Sequence, residues 1–455
     1  MSVLHAARAL TAQGWKSDVR MTIEDGTITA VEINASAQEG DERHAIATPA
    51  AANLHSHAFQ RAMAGLAEVR GKETDTFWTW RETMYRFALM MSPDDVEAVA
   101  AQLYVEMLEA GFAAVAEFHY LHHAPDGSPY EQPAEIAGRI LSAARRVGIG
   151  MTLLPVFYAH SSFDGAPPRP EQRRFINDLP SFARLVDDCR QLIKADEGET
   201  IGIAPHSLRA VTPTEFTELM SLADDGPIHI HAAEQIKEVE DCVAWSGARP
   251  VRWLLDHASI DARWCLVHAT HMDEGETQDL ARSGAVAGLC PVTEANLGDG
   301  VFNAADYIIA GGRYGVGTDS NVSVGVAAEL RQLEYAQRLR GRARNVCNLP
   351  ETSCGRTMLE AIWLGGAQAL RRNSGKLAPG ASANILTFRA DHPTLAGKAD
   401  DQVLDAWIFS AGNPLVDCVW SDGLKVVAGG RHVFKDEIAA QFAKTMRELS
   451  EPPGS

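Results

Sequence analysis

Between residues 46 and 372, short apolar runs alternate eight times with longer segments that have a helical pattern. A run of four to eight apolar residues has the length of a buried strand, and a helix between two strands allows them to run parallel. Repeated strand–helix alternation predicts an α/β fold in the form of a parallel (β/α)₈ TIM-type barrel over 46–372. The eight predicted strands are 46–53, 113–118, 149–156, 200–204, 228–232, 264–269, 285–289 and 314–318.

Two of the intervening helices have ends that can be located in the sequence. Ser92 followed by Pro93 is typical of a helix start, and Gly111 is expected to end that helix. Thr212 and Glu215 have the spacing of a capping box, which predicts a second helix start.

The two ends of the chain differ from the middle. Residues 1–45 and 373–440 contain short alternating segments and turns, for example around Asp25-Gly26. We expect both ends to build one small β-sandwich-like domain beside the barrel. The remaining residues, 441–455, are expected to form a C-terminal tail that frays at its end.

Charge and cysteine content limit the classes of partner. Sixty acidic residues against forty-one basic ones give a formal charge of -19, which repels phosphate backbones and anionic lipid head groups. We therefore expect neither nucleic-acid nor membrane binding. Seven scattered cysteines without a C-x-x-C pair suit a reducing compartment, and the first twenty residues lack a signal-peptide pattern. The expected location is the cytoplasm.

Polar residues with metal and acid–base chemistry lie at the ends of four of the predicted strands. Alternation along a strand places His55 and His57 on the same face, which is the geometry that two metal ligands on one segment need. Because the carboxyl ends of barrel strands meet at one rim, ligands and catalytic groups are expected there. The residues at these strand ends are His55, His57, His231, Glu234, His268 and Asp319.

Each of these residues has an ordinary alternative. A histidine within an apolar strand is usually a satisfied core residue, and we assign His229 to that class. Asp319 could cap a helix, and Glu234 could be a solvated acid in a first helical turn. Their joint occurrence at the expected strand ends favours a metal site.

The order H-x-H, H-x-x-E, H and D resembles the amidohydrolase superfamily, in its deaminase branch with a single metal ion. The segment 375–384 is similar to that family's return into the small domain, with Asn384 where the family commonly has Asp. Strand four ends at His206 and offers no lysine that could be carboxylated to bridge two metals. The resemblance implies one divalent ion per chain and identifies this ion as zinc. Its ligands would be His55, His57, His231 and Asp319.

The ligand types suggest a role for each polar group. Three imidazoles and one carboxylate leave room for a water on the ion, whose pKa zinc can lower to about 7. Glu234 would move the water's proton to the leaving nitrogen, and Asp319 would help to orient and deprotonate the water. His268 would hydrogen-bond the water or the tetrahedral intermediate.

Residues in the loops after the strands indicate the substrate class. Two guanidinium groups suit carboxylates, which they bind bidentately, better than a neutral purine. The ordinary alternative for Arg81 and Arg209 is surface salt bridging. By resemblance to that family, the residues expected to hold the substrate are Gln60, Arg81, Tyr120, His206 and Arg209.

Three motifs, at 53–61, 76–81 and 315–321, resemble more narrowly the members of this superfamily that act on a linear amidine. That resemblance implies hydrolysis of N-formimidoyl-L-glutamate to N-formyl-L-glutamate and ammonia, a step of histidine degradation, and a homodimer. Two alternatives stay open. One is a ring deaminase acting on guanine, an adenosine derivative or a triazine, and the other is a non-catalytic scaffold.

Overall fold

The computed structural model describes residues 1–70, 75–195 and 198–450. Within these ranges the strands form one mixed sheet and two parallel sheets. The expected tail falls partly outside the described residues, at 451–455.

The mixed sheet is built from both ends of the chain, as we expected. Its strands are β1 (Ser2–Thr11), β2 (Gly14–Glu24), β3 (Thr27–Glu32), β4 (Glu42–Pro49), β14 (Ile385–Phe388), β15 (Val416–Ser421), β16 (Leu424–Ala428) and β17 (Arg431–His432). They have the order β17-β16-β15-β14-β4-β1-β2-β3, and β1 pairs with β4 in parallel while the other neighbours run antiparallel. One face of this sheet buries its own apolar cluster, including Leu4, Met21 and Trp420.

The parallel sheets contain the part of the chain in between. Their strands are β5 (Ala51–Ser56), β6 (Phe112–His119), β7 (Gly150–Phe157), β8 (Thr200–Ile201), β9 (Ala204–Pro205), β10 (Ile228–Ala232), β11 (Trp264–His268), β12 (Val286–Leu289) and β13 (Arg313–Val316). One sheet has the order β5-β6-β7-β8, with β9 also pairing with β7, and the other has the order β10-β11-β12-β13. Every residue of β6 and β7 is buried, as expected for parallel strands that are covered on both faces.

The first predicted strand, 46–53, is wrong as a single element. The chain leaves the mixed sheet at Pro49 and enters the parallel sheet at Ala51. The backbone amide of Ala50 donates to the carbonyl of Asn384, just before β14, and the next amide, that of Ala51, donates to the carbonyl of Gly111, just before β6. Because both segments are apolar, hydrophobicity alone does not mark this change of partner.

Fourteen α-helices lie in the described ranges. They are α1 (Phe77–Met90), α2 (Pro93–Glu109), α3 (Glu135–Val147), α4 (Leu179–Leu192), α5 (Pro213–Met220), α6 (Ile236–Ser246), α7 (Pro250–His257), α8 (Glu274–Ser283), α9 (Pro291–Leu297), α10 (Ala304–Ile309), α11 (Val326–Gly341), α12 (Cys354–Ala369), α13 (Asp401–Ala406) and α14 (Lys435–Ser450). The predicted starts of α2 and α5 are confirmed. Ser92 accepts a hydrogen bond from Asp95 N at 3.2 Å, and Thr212 accepts one from Glu215 N at 3.3 Å.

Three further features correct or extend the expectations. Residues 441–450, which we expected in the tail, form the second half of α14, because Ile438 and Leu449 bury apolar side chains along that helix. No helix in the described ranges has the length and apolar character that crossing a membrane requires. All seven cysteines lie in the described ranges, and each is a buried free thiol.

Candidate active site

Four side chains from three distant segments converge at the carboxyl ends of the parallel strands. His55 Nε2 lies 3.2 Å from His57 Nε2 and 3.1 Å from His231 Nε2. Asp319 Oδ1 lies 3.4 Å from His55 Nε2 and 3.2 Å from His57 Nε2. The three imidazoles and the carboxylate are all buried, so they form one compact set of potential ligand atoms.

In His57 and His231, a hydrogen bond at Nδ1 orients the Nε2 atom toward the other potential ligand atoms. His57 Nδ1 lies 3.0 Å from the Phe118 carbonyl, and His231 Nδ1 lies 3.0 Å from the His206 carbonyl. A carbonyl only accepts, so each Nδ1 carries the proton and each Nε2 presents a lone pair. This tautomer is the form in which imidazole binds a metal ion.

The electrostatics of the four residues fit a divalent cation. Burial lowers the pKa of His55 to about 3 and holds the pKa of His231 well below its ordinary value, so both rings stay neutral. Burial by itself would raise the pKa of Asp319, but the adjacent His55 and His57 side chains hold that pKa well below the usual range. Three imidazoles and one carboxylate, gathered out of water, are a donor set that suits a zinc-like ion.

The loop that carries Asp319 is tied to the first ligand strand by buried polar contacts that the sequence did not reveal. Asn53 Nδ2 donates to Thr318 Oγ1 at 2.7 Å, and Asn321 Nδ2 donates to the His57 carbonyl at 3.0 Å. Gly317 allows the close approach, since a Cβ there would lie 2.7 Å from the His55 carbonyl oxygen.

Several non-glycine residues at this rim adopt left-handed backbone conformations. Such conformations are unfavourable for residues with a side chain, and they cluster at functional sites when the surrounding structure enforces them. The residues concerned are Ala233, His268, Ala269, Asp319 and Asn321, with φ between 45° and 66°.

Glu234 and His268 lie next to the ligand set. Glu234 Oε1 is 3.8 Å from His268 Nε2, and His268 Nε2 is 3.9 Å from Asp319 Oδ2. Burial raises the pKa of Glu234. Burial would lower the pKa of His268, but the nearby carboxylates of Glu234 and Glu294 raise it to about 10. The arrangement places a carboxyl and an imidazole, both able to exchange or hold a proton, beside the ligand cluster.

Two buried glutamates that sequence reasoning missed hold this pair in place. Glu238 accepts from the backbone amides of Ala233 and Glu234, both at 3.2 Å. Glu294 Oε1 lies 3.3 Å from His268 Nδ1. Both glutamates lie in the first turn of a helix that comes after a strand end, a position that could have pointed to them.

The same cleft contains all five residues predicted to bind the substrate. Its lining includes Gln60, Arg81, Tyr120, His206 and Arg209, together with His57, His231, Glu234, His268 and Asp319. The structure therefore brings the predicted groups together around one space, although their roles stay a prediction.

Among the described residues, Gln60 and Arg209 each have a buried polar atom without a hydrogen-bond partner. Gln60 Nε2 donates to the Tyr120 hydroxyl at 2.7 Å, while Gln60 Oε1 has no hydrogen bond within the described part of the chain. Arg209 Nη2 lies 3.9 Å from Glu234 Oε2, and Arg209 Nε has no partner in the described residues. Buried polar atoms are rarely left unpaired, so both atoms are candidates for contact with a ligand.

Arg81 is on a helix and not in a loop. We expected Arg81 in a loop after a strand, but Thr76 caps α1 and Arg81 lies in the second turn of that helix. The guanidinium carbon lies 5.1 Å from the Trp78 ring centroid and 5.3 Å from that of Tyr85. Cation–π contacts with these rings hold a charged group at the cleft.

Sequence reasoning missed three aromatic residues of the cleft, Tyr85, Tyr158 and Phe175. Tyr158 comes directly after β7 and could have been found with the strand-end rule that located the ligands. Tyr85 and Phe175 come from a helix and a connection, where no pattern marks them.

A second group of possible ligand atoms, His44, Asp417 and Cys418, lies in the mixed sheet. His44 Nε2 is 3.0 Å from Glu42 Oε1, and the Lys425 ammonium also contacts that carboxylate. A lysine already supplies positive charge to this group, so we do not assign it to a metal.

Comparison with known proteins places these features in a family. The amidohydrolase family model matches residues 46–426, and the model of the N-terminal domain of formimidoylglutamate deiminase HutF matches residues 1–45. The formimidoylglutamate deiminase of Pseudomonas aeruginosa strain PAO1 is 49% identical over 452 residues, covering 99% of this chain and 100% of the relative.

Solved structures agree with this placement. An amidohydrolase from Brucella melitensis is 53% identical, with a TM-score of 0.95 over 99% of this chain and 100% of the other. An adenosine deaminase from Xanthomonas campestris with bound zinc shares only the fold, at 21% identity and a TM-score of 0.80 over 98% of each chain. The chain belongs to the amidohydrolase family and, within it, to the formimidoylglutamate deiminases.

Proposed function

We propose that this protein is a metal-dependent hydrolytic deiminase that converts N-formimidoyl-L-glutamate and water to N-formyl-L-glutamate and ammonia in histidine degradation. The observation that carries the proposal is that one cleft holds a three-histidine, one-aspartate ligand set, an acid–base pair and two arginines. Identity of 49% over the whole chain to a formimidoylglutamate deiminase supports the choice of reaction.

We propose that His55, His57, His231 and Asp319 hold one divalent ion per chain, and that this ion is zinc. The neutral rings of His55 and His231 and the ionised carboxylate of Asp319 support this assignment. When bound, such an ion acts as a Lewis acid and lowers the pKa of a water to about 7.

The remaining chemistry belongs to side chains of this protein. The water oxygen bonds to the formimidoyl carbon, the bond from that carbon to the terminal nitrogen breaks, and both water protons end on the departing nitrogen. Glu234 is suited to carry a proton from the water to the departing nitrogen, because burial raises the pKa of its carboxyl toward neutral pH. Asp319 would help to orient and deprotonate the water, and a protonated His268 would stabilise negative charge that develops on oxygen.

We assign the glutamate portion of the substrate to Gln60, Arg81, Tyr120, His206 and Arg209. Arg209 reaches to 3.9 Å from Glu234, so a carboxylate bound to Arg209 would keep the formimidoyl group within reach of the acid–base pair. Since Arg81 and Arg209 line a buried cleft and are not surface ion pairs, they can bind carboxylates with little competition from water.

We also infer that the two parallel sheets close into a (β/α)₈ barrel. Bridge pairs between Ile203 and Ile228 and between Ser56 and Asp319 connect the sheets at both of their junctions. When β8 and β9 are counted as one interrupted strand, the barrel has eight strands, the number in a TIM barrel.

We further propose a cytoplasmic homodimer. The seven buried thiols suit a reducing compartment, and the mass of the purified protein in solution tests the dimer.

Ammonia release from a panel of substrates tests the proposed reaction. At equal enzyme concentration we expect rapid release from N-formimidoyl-L-glutamate and little from guanine or an adenosine derivative. Faster release from either ring compound would favour a ring deaminase. No release from any of them, together with no bound metal after expression in metal-rich medium, would favour a scaffold.

A further inference from the structure

Gln172 lies behind the cleft and contacts two of the tyrosines that line it. The residue belongs to a short helical turn, Pro170–Gln172, in the connection after β7, and its side chain is fully buried. Gln172 Nε2 is 2.8 Å from the Tyr158 hydroxyl and 3.3 Å from the Tyr85 hydroxyl. The buried amide therefore joins residues on two separate elements that face the substrate space.

A backbone contact determines which end of the amide faces the tyrosines. The Arg169 backbone N–H donates to Gln172 Oε1 at 2.8 Å. Because an N–H cannot accept, this contact identifies the oxygen and leaves the NH₂ group directed at the two hydroxyls. The two N–H bonds of that group match the two hydroxyl oxygens.

The direction of the hydroxyl protons can be deduced by counting donors. The Tyr85 oxygen accepts from Gln172 and also from the Arg81 guanidinium. Neither the NH₂ group nor the guanidinium can accept a proton in return. In the described part of the chain, neither tyrosine hydroxyl donates to a protein acceptor, while both rings line the cleft.

We propose that Gln172 is a positioning residue that turns the hydroxyl protons of Tyr85 and Tyr158 into the cleft, where they form with Arg81 a subsite composed only of donors. Such a subsite binds one carboxylate of the substrate and rejects groups that bring their own N–H donors, such as an amide or an amino-substituted ring. This inference rests on the proposed function, because it names how that substrate's carboxylate is selected.

The chemistry of the surroundings supports this assignment. Burial raises the pKa of Tyr158, so its hydroxyl keeps its proton at neutral pH. A hydrogen bond to a charged carboxylate is stronger than one between neutral groups, and the gain grows when water is excluded.

The isosteric substitution Gln172→Glu tests the proposal with little change of shape. One carboxylate oxygen can still accept from Arg169, while the other would accept both tyrosine protons and so draw them out of the cleft. We expect the KM for N-formimidoyl-L-glutamate to rise about ten- to a hundredfold, the range for losing one or two charge-assisted hydrogen bonds, while kcat changes little.

A double-mutant cycle with Tyr85→Phe/Tyr158→Phe separates proton direction from other effects. The tyrosine double variant should itself raise KM, and adding Gln172→Glu to it should change KM by less than about twofold, because no hydroxyl proton is left to redirect. An equal rise in both backgrounds would mean charge repulsion or distortion and would overturn the proposal, as would an unchanged KM in the tyrosine double variant.

A second substitution covers the case in which Gln172→Glu does not fold. Gln172→Leu removes the orienting donors without adding charge, and its effect on KM should likewise disappear in the tyrosine double variant. Thermal unfolding of each protein checks folding. Failure of the proposed function looks different, since the unmodified enzyme would then release no ammonia from N-formimidoyl-L-glutamate.

Discussion

The Nε2 atoms of His55 and His231 lie 3.1 Å apart although the residues are 176 positions apart in the chain. Burial lowers the pKa of both rings, and the His231 ring is held by the His206 carbonyl on its far side. Two buried imidazoles in such proximity present lone pairs to the same point. A cation at that point, as we propose, would remove their mutual repulsion.

Replacing His231 by alanine should remove the metal. The substitution deletes one of four ligands, so we expect the metal content measured by elemental analysis to fall from about one ion per chain to near zero, with loss of ammonia release. His229→Gln is the matched control, because His229 lies on the same strand but its Nε2 is 2.9 Å from the Ala369 carbonyl. Full metal content in the alanine variant would contradict the assigned ligand set.

Glu234→Gln should lower kcat by about 10²- to 10⁴-fold, the usual contribution of a general acid–base group. Metal content and the affinity for N-formimidoyl-L-glutamate should be retained, because the amide has nearly the same shape. Glu240→Gln, at an exposed position of α6, serves as the control. If kcat falls no further in the Glu234 variant than in this control, Glu234 has no part in proton transfer.

Arg209→Ala should reduce kcat/KM for the dicarboxylate substrate. The loss of transition-state stabilisation should be about 2–4 kcal/mol, as expected when a buried charge-assisted pair is broken. Steady-state kinetics measure the change, and most of it should appear in KM. The control is Arg184→Ala, since Arg184 is exposed and donates to Ser181 Oγ at 3.1 Å on its own helix. Unchanged kinetics in the Arg209 variant would remove this residue from the site.

His122 should make stability depend on pH. Burial lowers its folded-state pKa from 6.5 to about 3, against the opposing effect of its hydrogen bond with the Val156 carbonyl. The unfolded chain therefore binds more protons, and stability present above pH 6.5 is lost as the pH falls toward 3. For this group alone we expect about 2 kcal/mol less stability at pH 5 than at pH 7.

The variant His122→Gln isolates that contribution, because a neutral amide does not titrate while all other groups stay the same. Urea unfolding at pH 7 and pH 5 should show a smaller pH dependence for the variant by about 2 kcal/mol. Equal pH dependence in both proteins would show that His122 is protonated in the folded state.

Some of the site could be predicted because its residues occupy positions with a simple rule. His55 and His57 share a face because a strand has a period of two, and His231, His268 and Asp319 were found at the carboxyl ends of apolar runs. The rule fails at the junction of β4 and β5, where one apolar strand directly succeeds another and only their hydrogen-bond partners differ. It also misses Gln172, which contacts Tyr85 across 87 positions of the chain.

The sequence by itself determined the strand–helix order, the residue types at the strand ends and hence the family of chemistry, since each depends on local periodicity and composition. The tertiary structure decided which ring nitrogen faces the cluster of ligand atoms, where Arg81 is held and which way the Gln172 amide points. These depend on hydrogen bonds between segments that are remote in the chain. Local propensity contains no information about such contacts, because they form only when packing brings the partners together.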